Sequence, residues 1–192
     1  MRVFGVLYLC LCVLIPGALF GQGQTYIEGF LGPASIDGIG VNTDETSFGL
    51  WGGYAFSENI AVEIGYANYG ESKVNLSETF KGEAVEVHLS TTTAAFNIGI
   101  KGVVPLDGGF FLTGKVGMAF WGIDATETII DDADGFISSA KATLDDRDMY
   151  FGFGANYMIS ETAYVTLNHL MTEFDDIDID VGVSTIGIGI LF

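Results

Sequence analysis

Charged residues in this 192-residue chain fall into two populations. Glu28, Glu63, Lys101 and Lys115 each stand alone in an apolar or glycine-rich stretch: "YIEGF", "AVEIGY", "GIKGVV" and "TGKVGM". Burying such a group singly costs several kcal/mol, so acids and bases that share an interior are expected to pair. The second population is dense and acidic, in "TDE", "IDDADG", "LDDRD" and "EFDDIDID". Its spacing does not fit the calcium loop that alternates acids before a glycine and adds a later glutamate. A solvated surface with at most weak divalent binding is the expectation there. "EVHLS" offers His88 and Ser90, a base and a hydroxyl two residues apart, but no acid follows at a useful spacing to orient the imidazole. His169, beside Leu170 and Met171, reads as an interfacial side chain. No Ser/His/Asp order, zinc motif or phosphate loop occurs elsewhere, so no catalytic residue, metal site or cofactor is expected.

The elements that must position the isolated charges are strands. Hydrophobic residues make up 49% of the chain, with 27 glycines, 13% aromatics and only 3 prolines, a balance that suits closely spaced strands. The 25 acidic residues against 7 basic ones give a net charge of -18, which repels phosphates and excludes nucleic acid as a partner. Segregated charge implies a body in an apolar medium with wet, acidic ends. Residues 1–23 read as a secretory signal peptide: Arg2, an apolar run from Val3 to Ile15, a break at Pro16-Gly17 and small residues up to a cleavage point after Gly23. That run is shorter than the roughly 20 residues of a spanning helix. Both cysteines, Cys10 and Cys12, lie inside it, so residues 24–192 contain no thiol.

Beyond residue 23 no long apolar run remains, and a hydrophobic chain in lipid must then close its backbone hydrogen bonds in a barrel. Eight stretches of near ten residues alternate strictly. One face is large and apolar, as with Leu50, Ile64, Ile100 and Val116. The other is small or polar, and carries Glu28, Glu63, Lys101 and Lys115. A lipocalin-like soluble barrel would reverse this order, so the bulky face is assigned to lipid and the small face to a narrow interior. "FSEN", "PLDGG" and "ISET" are short turns, whereas residues 33–46, 71–86, 124–148 and 172–180 read as long acidic connections that begin as strand extensions above the membrane. Three short and four long connections join eight strands with both termini on the short-turn side. Trp51, Trp121, Tyr54, Tyr66, Tyr69, Tyr157 and Tyr164 fall mostly near strand ends, where aromatic girdles belong, with Trp121 a candidate to point inward. The fold class is therefore all-β, an eight-stranded antiparallel up-and-down transmembrane β-barrel over residues 24–192.

"YAFSENIAVEIGYANYG", "LDGGFFLTGKVGMAFWG", "GFGANYMISETAYVTLNH" and the terminal Phe192 resemble the OmpA-type outer-membrane β-barrel family over essentially the whole of residues 24–192. The resemblance implies a buried ion-pair network that plugs or gates the lumen, matched here by Glu63, Lys101 and Lys115, with Thr166 where some relatives carry a base on the seventh strand. It also implies that Phe192, with Ile190 and Ile188 at alternate positions, is the signal read by the barrel-assembly machinery. The peptidoglycan-binding domain that often follows such barrels is not expected after Phe192. His88 and Ser90 resemble a pair in outer-membrane lipid A deacylases, but lie in an early strand rather than a late one.

The expected role is structural: a monomeric barrel in the outer membrane, contacting its lipids and lipopolysaccharide, with acidic loops presented outside and both termini periplasmic. An eight-stranded barrel has room only for its own side chains, which disfavours transport of large solutes. The alternatives are a narrow ion-conducting pore gated by the lumenal charges, a lipid-modifying enzyme, and a soluble ligand-binding barrel.

Overall fold

The computed structural model describes residues 22–38, 41–80, 83–131, 136–174 and 179–192, and the proposed leader falls almost entirely outside them. Eight strands follow in chain order: β1 (Gln24–Gly38), β2 (Val41–Ser57), β3 (Ile60–Phe80), β4 (Glu83–Pro105), β5 (Phe110–Asp131), β6 (Phe136–Met158), β7 (Ala163–Phe174) and β8 (Ile179–Leu191). Each pairs antiparallel with its sequence neighbours, and β8 closes on β1, so the sheet is a complete eight-stranded barrel. Closure removes the unpaired edges that lipid does not tolerate.

The short turns lie where expected. The second contains a 3-10 turn over Asp107–Gly109, and Gly108 and Gly109 adopt φ of 73° and 84°, a region that side-chain-bearing residues rarely enter. The strands, however, run 12 to 23 residues rather than near ten. Most of what reads in sequence as four long acidic loops is strand: β3 and β4 pair as far as Phe80 and Glu83, and β5 and β6 as far as Asp131 and Phe136. Charge and polarity mark these segments as solvated, but a two-stranded ladder satisfies its backbone in water as well as in lipid, so polarity alone hides it.

The extensions are unequal. β2 pairs with β3 only up to Phe48 opposite Asn68. β6 pairs with β7 only from Tyr150 to Met158, and β7 ends at Phe174 opposite Ile179. Beyond these points β3, β4, β5 and β6 rise together as a four-stranded sheet above a lower wall made by β7, β8, β1 and β2.

The two faces are divided as the alternation demands. Leu50, Ile64, Ile100 and Val116 are 60%, 53%, 50% and 40% exposed, whereas Glu63 and Lys101 are 1% and 0% exposed. A continuous band of exposed Ile, Leu, Val and Phe side chains around a closed barrel is the surface that hydrocarbon covers. Inside, two apolar layers are separate. The upper one includes Phe30, Trp51, Tyr69, Trp121, Tyr150 and Phe174, and the lower one Tyr26, Val103, Phe111, Tyr164 and Leu191.

Tyr54, Tyr66 and Tyr157 face outward and Trp121 points inward as its parity suggests, but Trp51, Tyr69 and Tyr164 are also buried in the interior and do not belong to a girdle. The cause is their parity, which matches the inward residues of their strands, and for Trp51 and Tyr164 also a glycine on the neighbouring strand. A Cβ at Gly65 would overlap the Trp51 ring, and one at Gly189 would overlap the Tyr164 ring. These inward glycines are seats for aromatic rings lying flat across the next strand.

Candidate functional site

Four charges meet across the lumen between the two apolar layers. Register places Lys101 directly opposite Lys115 on β4 and β5, so two ammonium groups stand side by side. Like charges in that position repel. β3 supplies Glu63, whose neighbour on β4 is Gly99, two residues before Lys101. β1 lies diametrically across the eight-strand ring from β5 and supplies Glu28. Lys101 Nζ lies 3.3 Å from Glu28 Oε2 and 3.3 Å from Glu63 Oε1, and Lys115 Nζ lies 3.6 Å from Glu28 Oε1 and 3.2 Å from Glu63 Oε2. Each lysine thus touches both glutamates and each glutamate both lysines, and the cluster is neutral with all four side chains buried.

Neutral donors meet part of the remaining acceptor capacity. Tyr26 OH donates to Glu63 Oε1 at 2.6 Å. Tyr164 OH donates to Glu28 Oε2 at 3.0 Å, and Asn168 Nδ2 donates to Glu28 Oε1 at 3.0 Å. Lys101 sits 4.5 Å from the Tyr26 ring centre and Lys115 sits 4.4 Å from that of Trp51, so both cations face aromatic π-clouds. The 3.2 Å contact of Lys115 with Glu63 Oε2 is an ion contact without hydrogen-bond alignment.

Glu28, Glu63, Lys101 and Lys115, all named from sequence, are brought together. Tyr26, Trp51, Tyr164 and Asn168 are members that sequence reasoning missed. Parity could have found Tyr26, which shares the inward face with Glu28, but nothing in sequence pairs Asn168 with a strand on the far side of the closure. Thr166 faces inward on β7 but joins no ion pair; Tyr164 and Asn168, two residues to either side of it, bind Glu28 instead. On that strand hydrogen-bond donors stand where a base would.

The other candidates are dispersed. His88 and Ser90 share one face of β4, yet each turns to a glutamate: His88 Nε2 lies 3.5 Å from Glu86 Oε2, and Ser90 Oγ donates to Glu71 Oε1 at 2.6 Å. That hydrogen bond, with Lys73 alongside, holds the Glu71 carboxyl below the usual carboxylate range. His169 faces outward, 2.9 Å from Ser184 Oγ, with its ring against Phe153. Ile188 and Ile190 are exposed on the outer face of β8, and Phe192 follows it with its N–H donating to Thr25 O at 2.8 Å and its side chain 69% exposed. Among the described residues no group of three or more His, Asp or Glu is arranged to hold a metal ion.

Residues 9–192 match the family described as the outer membrane protein beta-barrel domain. The chain belongs to this family. Its solved structural neighbours include Ail, the attachment invasion locus protein of Yersinia pestis, at 13% identity and a TM-score of 0.58, covering 90% of this chain and 100% of that one. The N-terminal β-barrel domain of Pseudomonas aeruginosa OprF aligns at 14% identity and a TM-score of 0.54, again covering 90% and 100%. Neisserial surface protein A aligns at 9% identity and a TM-score of 0.56, covering 88% and 99%. At these identities the likeness is one of fold. An uncharacterised protein of Haemophilus influenzae is 36% identical over 73 residues, which are 36% of this chain and 41% of that protein, so the match spans less than half of that relative. This outer-membrane barrel is an integral membrane protein, and its bulky apolar face is the one that meets lipid.

Proposed function

We propose that this barrel is a structural and surface-displaying protein of the outer membrane, with a closed lumen and no catalytic role. The observation that carries the reading is the neutral Glu28–Glu63–Lys101–Lys115 cluster, held between two apolar layers. Each charge has two partners of opposite sign, and the layers above and below are filled by aromatic rings. An ion entering the lumen would have to displace the paired charges, each of which already has two counter-ions within 3.6 Å. The cluster is a plug that also ties β1, β3, β4 and β5 together across the ring.

The solvated end that rises above the band is the surface presented outside, and both termini lie on the periplasmic side. The lipid-facing band contacts outer-membrane lipids and lipopolysaccharide. Phe192, with Ile190 and Ile188 on the same outward face, is the signal for the barrel-assembly machinery. Within its own membrane the barrel is a monomer.

The competing reading is an ion-conducting pore gated by rearrangement of the same cluster. Single-channel recording in planar bilayers separates the two. The plug predicts no discrete openings from the refolded protein. Regular openings that Glu63→Ala alters would establish the gate instead.

A further inference from the structure

At β6 the four-stranded sheet above the membrane ends in an edge that is unpaired among the described residues. Residues 136–149 of β6 pair with β5 on one side and with nothing described on the other, because β7 has already ended. At about 3.3 Å per residue that is roughly 45 Å of strand whose alternate N–H and C=O groups face water. Such an edge is a template for another strand. β7 and β8 stop low on that side, leaving a cavity of about 770 Å³ beside Arg147, Asp148, Met149, Glu173 and Asp180, so none of the described residues blocks an approach.

Charge along the edge selects the occupant. Lys141, Thr143 and Asp145 alternate on its outward face, all exposed. Lys141 and Asp145 make no ion pair among the described residues, and Thr143 Oγ donates to Asp124 on β5 at 2.8 Å. Two copies of an antiparallel edge related by a two-fold axis through Thr143 set Lys141 of each opposite Asp145 of the other, twice by symmetry. The same register sets Ala142 opposite Leu144, Ser139 opposite Arg147 and Ser138 opposite Asp148, with no like charges opposed. Moving the axis to Leu144 would set Lys141 opposite Arg147. A two-fold axis that makes neighbouring strands antiparallel stands perpendicular to the sheet. The sheet rises from the membrane as a wall, so that axis lies in the membrane plane and the two copies must sit in facing membranes.

We infer that the β6 edge pairs with the β6 edge of a second copy of this chain on an apposed membrane, a homotypic contact between cells. The contact rests on the reading of this end as the outside of the cell. The net charge of -18 on each copy opposes approach, but at physiological salt repulsion beyond about 8 Å is screened, and edge pairing acts at shorter range.

The test is sedimentation velocity of the full barrel refolded at one copy per lipid nanodisc. Wild type should form a two-disc species that grows with concentration. Lys141→Glu alone and Asp145→Lys alone each oppose two like-charge pairs and should weaken association about tenfold or more. An equimolar mixture of these two variants restores both attractive pairs and should restore two-disc species, as should the doubly exchanged variant. A heat-modifiable gel shift establishes that each variant is folded. Single discs for wild type at every concentration, undiminished association of either single variant, or failure of the mixture would each overturn the inference. Cleavage after Lys141 by trypsin on intact cells tests the outward orientation separately: its failure would remove the cell-to-cell setting, while pairing of discs would stand.

Discussion

Removal of one ammonium from the lumenal cluster is the sharpest probe of the plug. Lys101→Met keeps the length and apolar stem of the side chain but leaves Glu28 and Glu63 facing Lys115 alone. Lys101 Nζ makes two contacts of 3.3 Å. At an effective dielectric of about 20, each is worth about 5 kcal/mol of Coulomb attraction, roughly 10 kcal/mol in all. Desolvation of the charges, several kcal/mol per ion, offsets much of this, so the net loss on breaking a buried set is about 3–5 kcal/mol. The second variant decides the cause. Lys101→Met with Glu63→Gln leaves Glu28 and Lys115, still 3.6 Å apart and neutral. Losing Glu63 then costs little more, and the loss in the double variant should be about 1–3 kcal/mol smaller than the sum of the two single losses. Reversible urea unfolding in lipid vesicles, followed by tryptophan fluorescence, measures all four proteins. Trp51, 4.4 Å from Lys115 Nζ, reports the cluster directly. A loss below about 1 kcal/mol for Lys101→Met, or strict additivity in the double variant, would refute the claim that four charges act as one unit.

Gly65→Val and Gly189→Val place a side chain where the Trp51 and Tyr164 rings lie, and each should cost about 1–3 kcal/mol in the same unfolding assay. Gly52→Ala, with nothing within 4 Å of its added Cβ, should be near neutral. Equal effects at all three positions would dismiss the role of inward glycines as aromatic seats. Glu71 lies above the lipid-facing band and is held below the ordinary carboxylate range, first by Ser90 and then by Lys73. A depressed folded value means that its contribution is present above the unfolded value and is lost as pH falls through the folded one. Carbon-detected NMR titration should find Glu71 deprotonating below the ordinary glutamate range, and Ser90→Ala should move it upward. An unchanged titration in that variant would reject the hydrogen bond as the cause.

Alternation marked the strands and the face that each turns to lipid. Period-two patterning assigns Leu50, Ile64, Ile100 and Val116 to one side and Glu28, Glu63, Lys101 and Lys115 to the other, because successive side chains on a strand point to opposite faces whatever the strand pairs with. The three short turns, set by Asn59, Gly108-Gly109 and their neighbours, were equally legible, since turn chemistry is local. Strand length above the membrane was not: in water both a loop and a ladder are satisfied, so the polar residues of β3 to β6 carry no mark that separates them. Nor were the aromatic interior and the partners of the charges. That Lys101 faces Lys115 depends on the β4–β5 register, and that Glu28 reaches both, together with Tyr164 and Asn168 more than a hundred residues away, depends on closure of β8 onto β1. Pairing of buried charges is a property of the ring. A strand specifies that its charge faces inward; only the closed barrel, whose diameter brings opposite walls within reach of a glutamate and a lysine, decides which charge it meets.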